Sequence, residues 1–297
     1  MTFGIMKRSR ELWSGARFGN PSTAHEPALS RMAVGLALCV SLLSPAGIVL
    51  SSDRRETLPQ PSSATVVVVS TLHQLHIYAA PDYGFPVLEK ILRRLRPDIL
   101  AVELRGEDLS SRAPQPIKQE YQEAVFPFLR GFTGTVVTLE PEDPDYSRLV
   151  KMRHDAERVM QQSHPETKRI ADKFYQEFYA YLTPQWKSYC DVNSDLTDLA
   201  VRFNHQFIHS LYPPEFARAR QEWNRIAGEK ISAAARSNPG KRIVVLMGFE
   251  HDYWLKEFLA NEDGVKLLPL CGPSGALPDA APAKRTDRAR KWRQQFC

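Results

Sequence analysis

Four consecutive valines, Val66–Val69, constrain this chain more than any other feature. A β-branched run that is apolar on both faces suits a strand buried in the middle of a parallel sheet. A half-exposed strand would instead alternate polar with apolar residues. The polar pair Ser70-Thr71 closes the run, and His73 follows. Open α/β sheets bind ligands just beyond the carboxyl ends of their strands. An ionisable side chain there is a candidate site residue, although a lone histidine also ends strands simply by bonding a loop carbonyl.

Helix and strand patterns alternate after that run. The spacing predicts a helix over 85–96, with Val87, Leu88, Ile91, Leu92 and Leu95 on one face and charged residues opposite. Pro97 stops it, and residues 98–104 (DILAVEL) read as a second strand. Together they make a βαβ unit, which should be right-handed. A helix over 117–130, interrupted near Pro127, leads to a third strand over 135–139, with Glu140, Glu142 and Asp143 just past it. Residues 146–237 read as almost wholly helical. Their i, i+4 series Ile170/Phe174/Phe178 and Leu199/Phe203/Phe207 are expected to face a core. A fourth strand over 242–247 (RIVVLM), a helix over 251–261 and a short fifth strand over 265–270 complete the set. The expected architecture is α/β: a doubly wound, mostly parallel sheet of order 3-2-1-4-5, with the helical insert 146–237 between the third and fourth strands.

The 297 residues are 43% hydrophobic and 25% charged, the balance of a globular protein with a core. The net charge of +5 sits at the ends: residues 1–50 carry +3 and residues 284–297 carry +5, leaving the middle at −3. That distribution argues against a nucleic-acid-binding body. Residues 32–50 are uncharged and follow Lys7, Arg8, Arg10, Arg17 and Arg31, the pattern of an export signal or an N-terminal membrane anchor. The expected location is therefore periplasmic, extracellular or membrane-anchored. The expected division is a leader over 1–50, a linker over 51–64, one domain over 65–272 and a disordered basic tail over 273–297. Beyond the leader lie Cys190, Cys271 and Cys297, and an oxidising compartment permits one disulfide whose pair the sequence does not choose. Oligomeric state is equally open.

Two strands end alike, in Ser70-Thr71-Leu72-His73 and Gly248-Phe249-Glu250-His251. Each places a histidine three residues after a small residue, and Gly248 lets the backbone turn tightly. If the first and fourth strands are neighbours, both histidines face one crevice. Glu103 is the odd residue of DILAVEL, since a carboxylate there points either out of the strand or at a site. Arg105, two residues on, lies on the same side of an extended chain, where it pairs with Glu103 or clamps a substrate oxygen. His205 and His209 have the i, i+4 spacing that suits zinc, but no His-Glu-x-x-His accompanies them and they are read as structural. His76 is read as a loop-surface residue. No phosphate-binding Gly-x-x-x-x-Gly-Lys loop and no Gly-x-Ser-x-Gly elbow is present.

Ser-Thr-Leu-His at 70–73, Pro-Asp-Ile-Leu-Ala-Val-Glu-Leu-Arg at 97–105 and Val-Val-Leu-Met-Gly-Phe-Glu-His at 244–251 resemble the TraB/TIKI-type superfamily. That grouping contains TraB/PrgY pheromone-shutdown proteins, Tiki membrane-tethered metalloproteases, ChaN-like haem-binding proteins and erythromycin esterases. The resemblance covers about 65–105 and 222–260 and leaves the insert 146–215 outside. Ser70 stands where the family usually has Gly. The segment 223–227 (WNRIA) is similar to an Arg/Asn-bearing helix of some relatives, which implies a binding role for Arg225; Glu140, past the third strand, is a second binding candidate. The resemblance implies a hydrolase of peptide or ester bonds in a peptide or small-molecule substrate, with His73, Glu103, Arg105 and His251 catalytic. His73, Glu103 and His251 would either hold a divalent metal (Mn, Co or Zn) with water in its open position, or act without metal. In the second case one histidine takes a proton from water and Arg105 stabilises the oxyanion. The alternative within the same superfamily is a non-catalytic protein that holds haem, a metal or a small ligand in the crevice.

Overall fold

The computed structural model describes residues 63–77 and 82–272. The valine run lies in β1 (Ala64–Thr71), followed along the chain by β2 (Ile99–Val102), β3 (Thr135–Thr138), β4 (Arg242–Gly248) and β5 (Val265–Leu268). All pairings are parallel, and the sheet is doubly wound as expected, but its order is β3-β2-β4-β1-β5. The expected order 3-2-1-4-5 is therefore corrected: β4 lies between β2 and β1. β1 and β4 are both long and buried on both faces, so hydrophobicity marks each as central without saying which one borders β2. The consequence for function is direct. β2 runs beside β4 from Ile99↔Ile243 to Val102↔Leu246, so Glu103 emerges next to the end of β4.

Helices cover both faces of the sheet. In chain order they are α1 (Phe85–Leu95), α2 (Gly106–Ser111), α3 (Phe126–Leu129), α4 (Asp145–Ser163), α5 (Pro165–Leu182), α6 (Tyr189–Val192), α7 (Asp195–Leu211), α8 (Pro214–Ser237) and α9 (Asp252–Ala260). Val67 and Val69 pack towards Leu88, Leu92 and Leu95 of α1. Val66 and Val68 face the opposite layer, where α8 supplies Ala227 and Ile231 and α9 supplies Leu255 and Leu259. Full burial of each valine is worth about 1.5–3 kcal/mol, so the run has no stable alternative at the surface. The helix expected over 117–130 is present over 119–129, with a π turn (Tyr121–Val125) running without a break into α3, which contains Pro127.

Two further expectations change. Leu199, Phe203 and Phe207 do not face a core: they are 49%, 61% and 38% exposed, and Ile170 is 47% exposed. α7 instead turns Thr197, Val201, Asn204, His205 and Ile208 inward, where Trp186 Nε1 donates to Thr197 Oγ1 at 2.9 Å. Periodicity reveals an apolar stripe but not whether anything covers it. His76 is not a surface residue either, and its role is given below.

Cys190, in α6, is bonded to Cys271, just past β5, across a separation of 81 residues. Loops of that length make a disulfide stabilising by about 2–4 kcal/mol. Cys271→Ser should lower the unfolding free energy by about that amount in urea titration; an unchanged midpoint would mean that the bond contributes nothing.

Among the described residues no helix is long and apolar enough to cross a membrane. The expectations for the leader 1–50 and the tail 273–297, and nearly all of the linker 51–64, lie outside the described residues; Ala64, placed in the linker, opens β1.

Candidate functional site

The site forms where β1, β2 and β4 end. Past β1 the chain enters a short 3-10 turn (His73–Ile77), and His73 takes φ +51°, a left-handed conformation that is rare for a non-glycine residue and tends to occur at functional sites. His76 fixes this turn. Its Nε2 accepts from Leu72 N at 3.0 Å and its Nδ1 donates to Tyr83 O at 2.7 Å. Burial pushes its pKa down to about 4, so it is a neutral brace.

His73 itself is held from behind. Nδ1 lies 2.7 Å from Glu120 Oε1, while Nε2 faces Glu103 Oε2 at 3.9 Å. Burial works against its charged form, but the carboxylates of Glu120 and Glu103 outweigh that and raise its pKa above the usual value. Glu120 stands at the start of the π turn, a feature often found at functional sites.

Glu103 is the hub. Oε2 accepts from Gly248 N at 2.5 Å, and Oε1 lies 3.1 Å from Lys118 Nζ. Its backbone N donates to Tyr121 Oη at 2.8 Å, and its carbonyl accepts from Lys118 at 2.7 Å. Burial opposes ionisation, yet Lys118, His73 and His251 together bring its pKa down to about 2. Lys118 also binds Glu140 Oε1 at 2.7 Å. Two carboxylates thus share one buried ammonium, and Glu140 is the one whose pKa burial pushes up.

His251 closes the group from the β4 side. Its Nδ1 donates to Asn224 Oδ1, on α8, at 2.5 Å, which leaves Nε2 as the nitrogen with a lone pair. Burial lowers its pKa to about 4, against the opposing pull of Glu103. The neighbouring Glu250 points elsewhere, to Tyr175, Tyr179 and Arg220.

Gly248 is required for space rather than for backbone freedom. A Cβ there would lie 2.9 Å from His73 Nε2 and 3.3 Å from Glu103 Oε2. Gly248→Ala should therefore displace His73 from Glu103, which the imidazole NMR titration of His73 would register as a lowered pKa; an unchanged titration would show that the added methyl is accommodated without moving the ring. Ser70, in the corresponding place at the end of β1, is fully buried and faces protein. Its hydroxyl donates to Asp252 Oδ2 at 2.6 Å, its N donates to Asn193 Oδ1 at 2.7 Å, and its carbonyl accepts from Tyr83 Oη at 2.8 Å.

The structure thus brings His73, Glu103 and His251 together and leaves two candidates outside. Arg105 does not pair with Glu103; it bonds Asp108 and Glu107 and lies over the Tyr146 ring at 4.3 Å. Lys118 takes the place expected of it, because the chain turns away at the start of α2. Arg225 is half-exposed and pairs with Glu229 and Glu222, while its neighbour Asn224 makes the contact with His251. Lys118 and Glu120 are not among the residues expected from the sequence, and in the Arg/Asn-bearing segment 223–227 it is Asn224 rather than the expected Arg225 that reaches the site. The only signal for the first two was a Lys-x-Glu pair in a segment with no strand pattern.

The carboxylate of this donor set is engaged by protein groups. Both Glu103 oxygens already accept hydrogen bonds, and a buried ammonium stands 3.1 Å from one of them. Among the described residues no cluster of three or more His, Cys, Asp and Glu side chains is arranged to hold an ion. Comparisons with family models, with curated proteins and with solved structures return no match.

Proposed function

We propose that this chain is a hydrolase of the TraB/TIKI type, acting without metal on a peptide or ester bond through two histidines in different protonation states. The observation that carries this reading is the pair of imidazoles, each fixed through Nδ1, set around one ionised carboxylate. Environments that drive two like groups apart in pKa assign them as acid and base. His251, kept neutral, takes a proton from water through Nε2. The water oxygen bonds to the carbonyl carbon, and the bond to the leaving nitrogen or oxygen breaks. His73, kept charged, gives its Nε2 proton to that leaving group. Glu103 stabilises the imidazolium that forms on His251 and keeps His73 protonated beforehand. The guanidinium of Arg105, engaged by Asp108 and Glu107, is given no step. The Cys190–Cys271 disulfide supports an oxidising compartment and thus export.

The pH profile tests this. His251 must be neutral and His73 charged, so kcat/KM should rise through about pH 4 and fall again above His73's raised pKa, which lies above 6.5. Hydrolysis of p-nitrophenyl acetate and of a fluorogenic peptide mixture, with and without EDTA, provides the measurement. A rate that climbs steadily into alkaline pH, or one abolished by EDTA and restored by zinc, would overturn the mechanism.

A further inference from the structure

Beside the histidines, between α7, α8 and α9, lies an open cleft of about 630 Å³, a volume typical of small-molecule sites. Four arginines line it (Arg202, Arg218, Arg220 and Arg225), against two glutamates, Glu222 and Glu257. Three of its lining residues carry a buried nitrogen without a hydrogen-bond partner in the protein: Arg202 Nε, Arg220 Nη1 and His205 Nε2. Buried polar groups of native proteins are normally paired, so three orphans around one cleft mark a place built for something else. The two arginine atoms are obligate donors. His205 becomes a third donor when Tyr253 Oη, 3.2 Å from its Nδ1, supplies that bond. Each arginine has a carboxylate partner (Arg202 with Glu257, Arg218 with Glu215, Arg220 with Glu250, Arg225 with Glu222 and Glu229), so it is the three unpaired donor nitrogens that call for a ligand with several acceptor oxygens.

The cleft is also tied to the histidine crevice. Asn224 lines it and holds His251 Nδ1. Arg220 binds Glu250, the residue before His251, at 3.1 Å. Anything bound there sits one side-chain layer from the proposed base.

We propose that this cleft binds an anionic group, a carboxylate or a phosphate ester, carried by the molecule that the histidines act upon. The word substrate rests on the hydrolase reading; anion binding does not. Arg202, Arg220 and His205 position the anion, and the scissile bond is thereby presented to His251. This makes the substrate an acidic small molecule or peptide rather than a neutral one.

Isothermal titration with inorganic phosphate and with glutarate, at low ionic strength, tests the site. Saturable 1:1 binding is expected for at least one of them, and the tighter probe identifies the group. Gln206 lines the cleft from an exposed position, so Gln206→Glu introduces a repelling charge without emptying any core. Gln206→Glu and, independently, Arg202→Gln should each weaken binding by about tenfold or more. His73→Gln, made in the proposed catalytic pair, should bind like wild type. No saturable heat with either probe, or affinities unchanged in both cleft variants, overturns the proposal. Binding by a protein that hydrolyses nothing sinks the hydrolase reading and leaves the anion site standing; hydrolysis without binding does the reverse.

Discussion

Lys118→Met should lower the unfolding free energy at pH 7 by about 3–5 kcal/mol, the cost of removing one partner from a buried ionic cluster. The ammonium is 4% exposed and is bonded to Glu103 Oε1, the Glu103 carbonyl and Glu140 Oε1. Without it, two buried carboxylates face each other, and Glu140 Oε2 already lacks a partner in the protein. The pH dependence has a definite sign. Glu103's depressed pKa contributes stability above its unfolded value of 4.5, and this is lost as pH falls through about 2. The variant raises that folded pKa, so its deficit should be largest at neutral pH and shrink as the solution is acidified. Urea unfolding at pH 7 and near pH 4 measures both. A deficit under about 1 kcal/mol, or one indifferent to pH, would mean that the three charges are not coupled as described.

His251→Ala should lower kcat/KM by about 10²–10⁴-fold, the usual worth of a positioned general base, while stability at pH 7 falls by about 1 kcal/mol, the low end for a buried neutral acceptor, Asn224 Oδ1, left without its donor. The ring is neutral and only half-buried, and its one side-chain hydrogen bond is to Asn224. Its depressed pKa also costs the folded state stability as pH falls from 6.5 towards about 4, because the unfolded chain binds the proton first. The variant loses that slope. His73→Ala behaves differently. It strips Glu120, fully buried, of its Oε1 partner and should destabilise by about 1.5–3 kcal/mol as well as abolish turnover. Equal stability losses in the two variants would contradict these environments, and retained turnover in His251→Ala would remove the base from the mechanism.

What was legible in the sequence was what local chemistry enforces. Val66–Val69 and 243–246 are buried on both faces wherever they go, so a mostly parallel α/β sheet with β1 beside β4 followed from composition and pattern. The placement of His73 and His251 past those strands followed too, because strand ends fix where the next residues emerge. The position of β4 between β2 and β1 did not follow, since two equally apolar strands compete for one slot and only their long-range pairing decides. That slot is what puts Gly248 N on Glu103. Lys118, Glu120 and Asn224 come from an irregular segment, a π turn and a helix 27 residues before His251, and no periodicity relates them to the strands. Arg105 went the other way: adjacency along the chain suggested a partner for Glu103, and the turn into α2 gave it to Asp108. The Cys190–Cys271 pair and the outward face of α7 are decided in the same manner. Sequence sets which groups seek burial or charge. Which group satisfies which depends on distances that exist only once the sheet has closed around its helices.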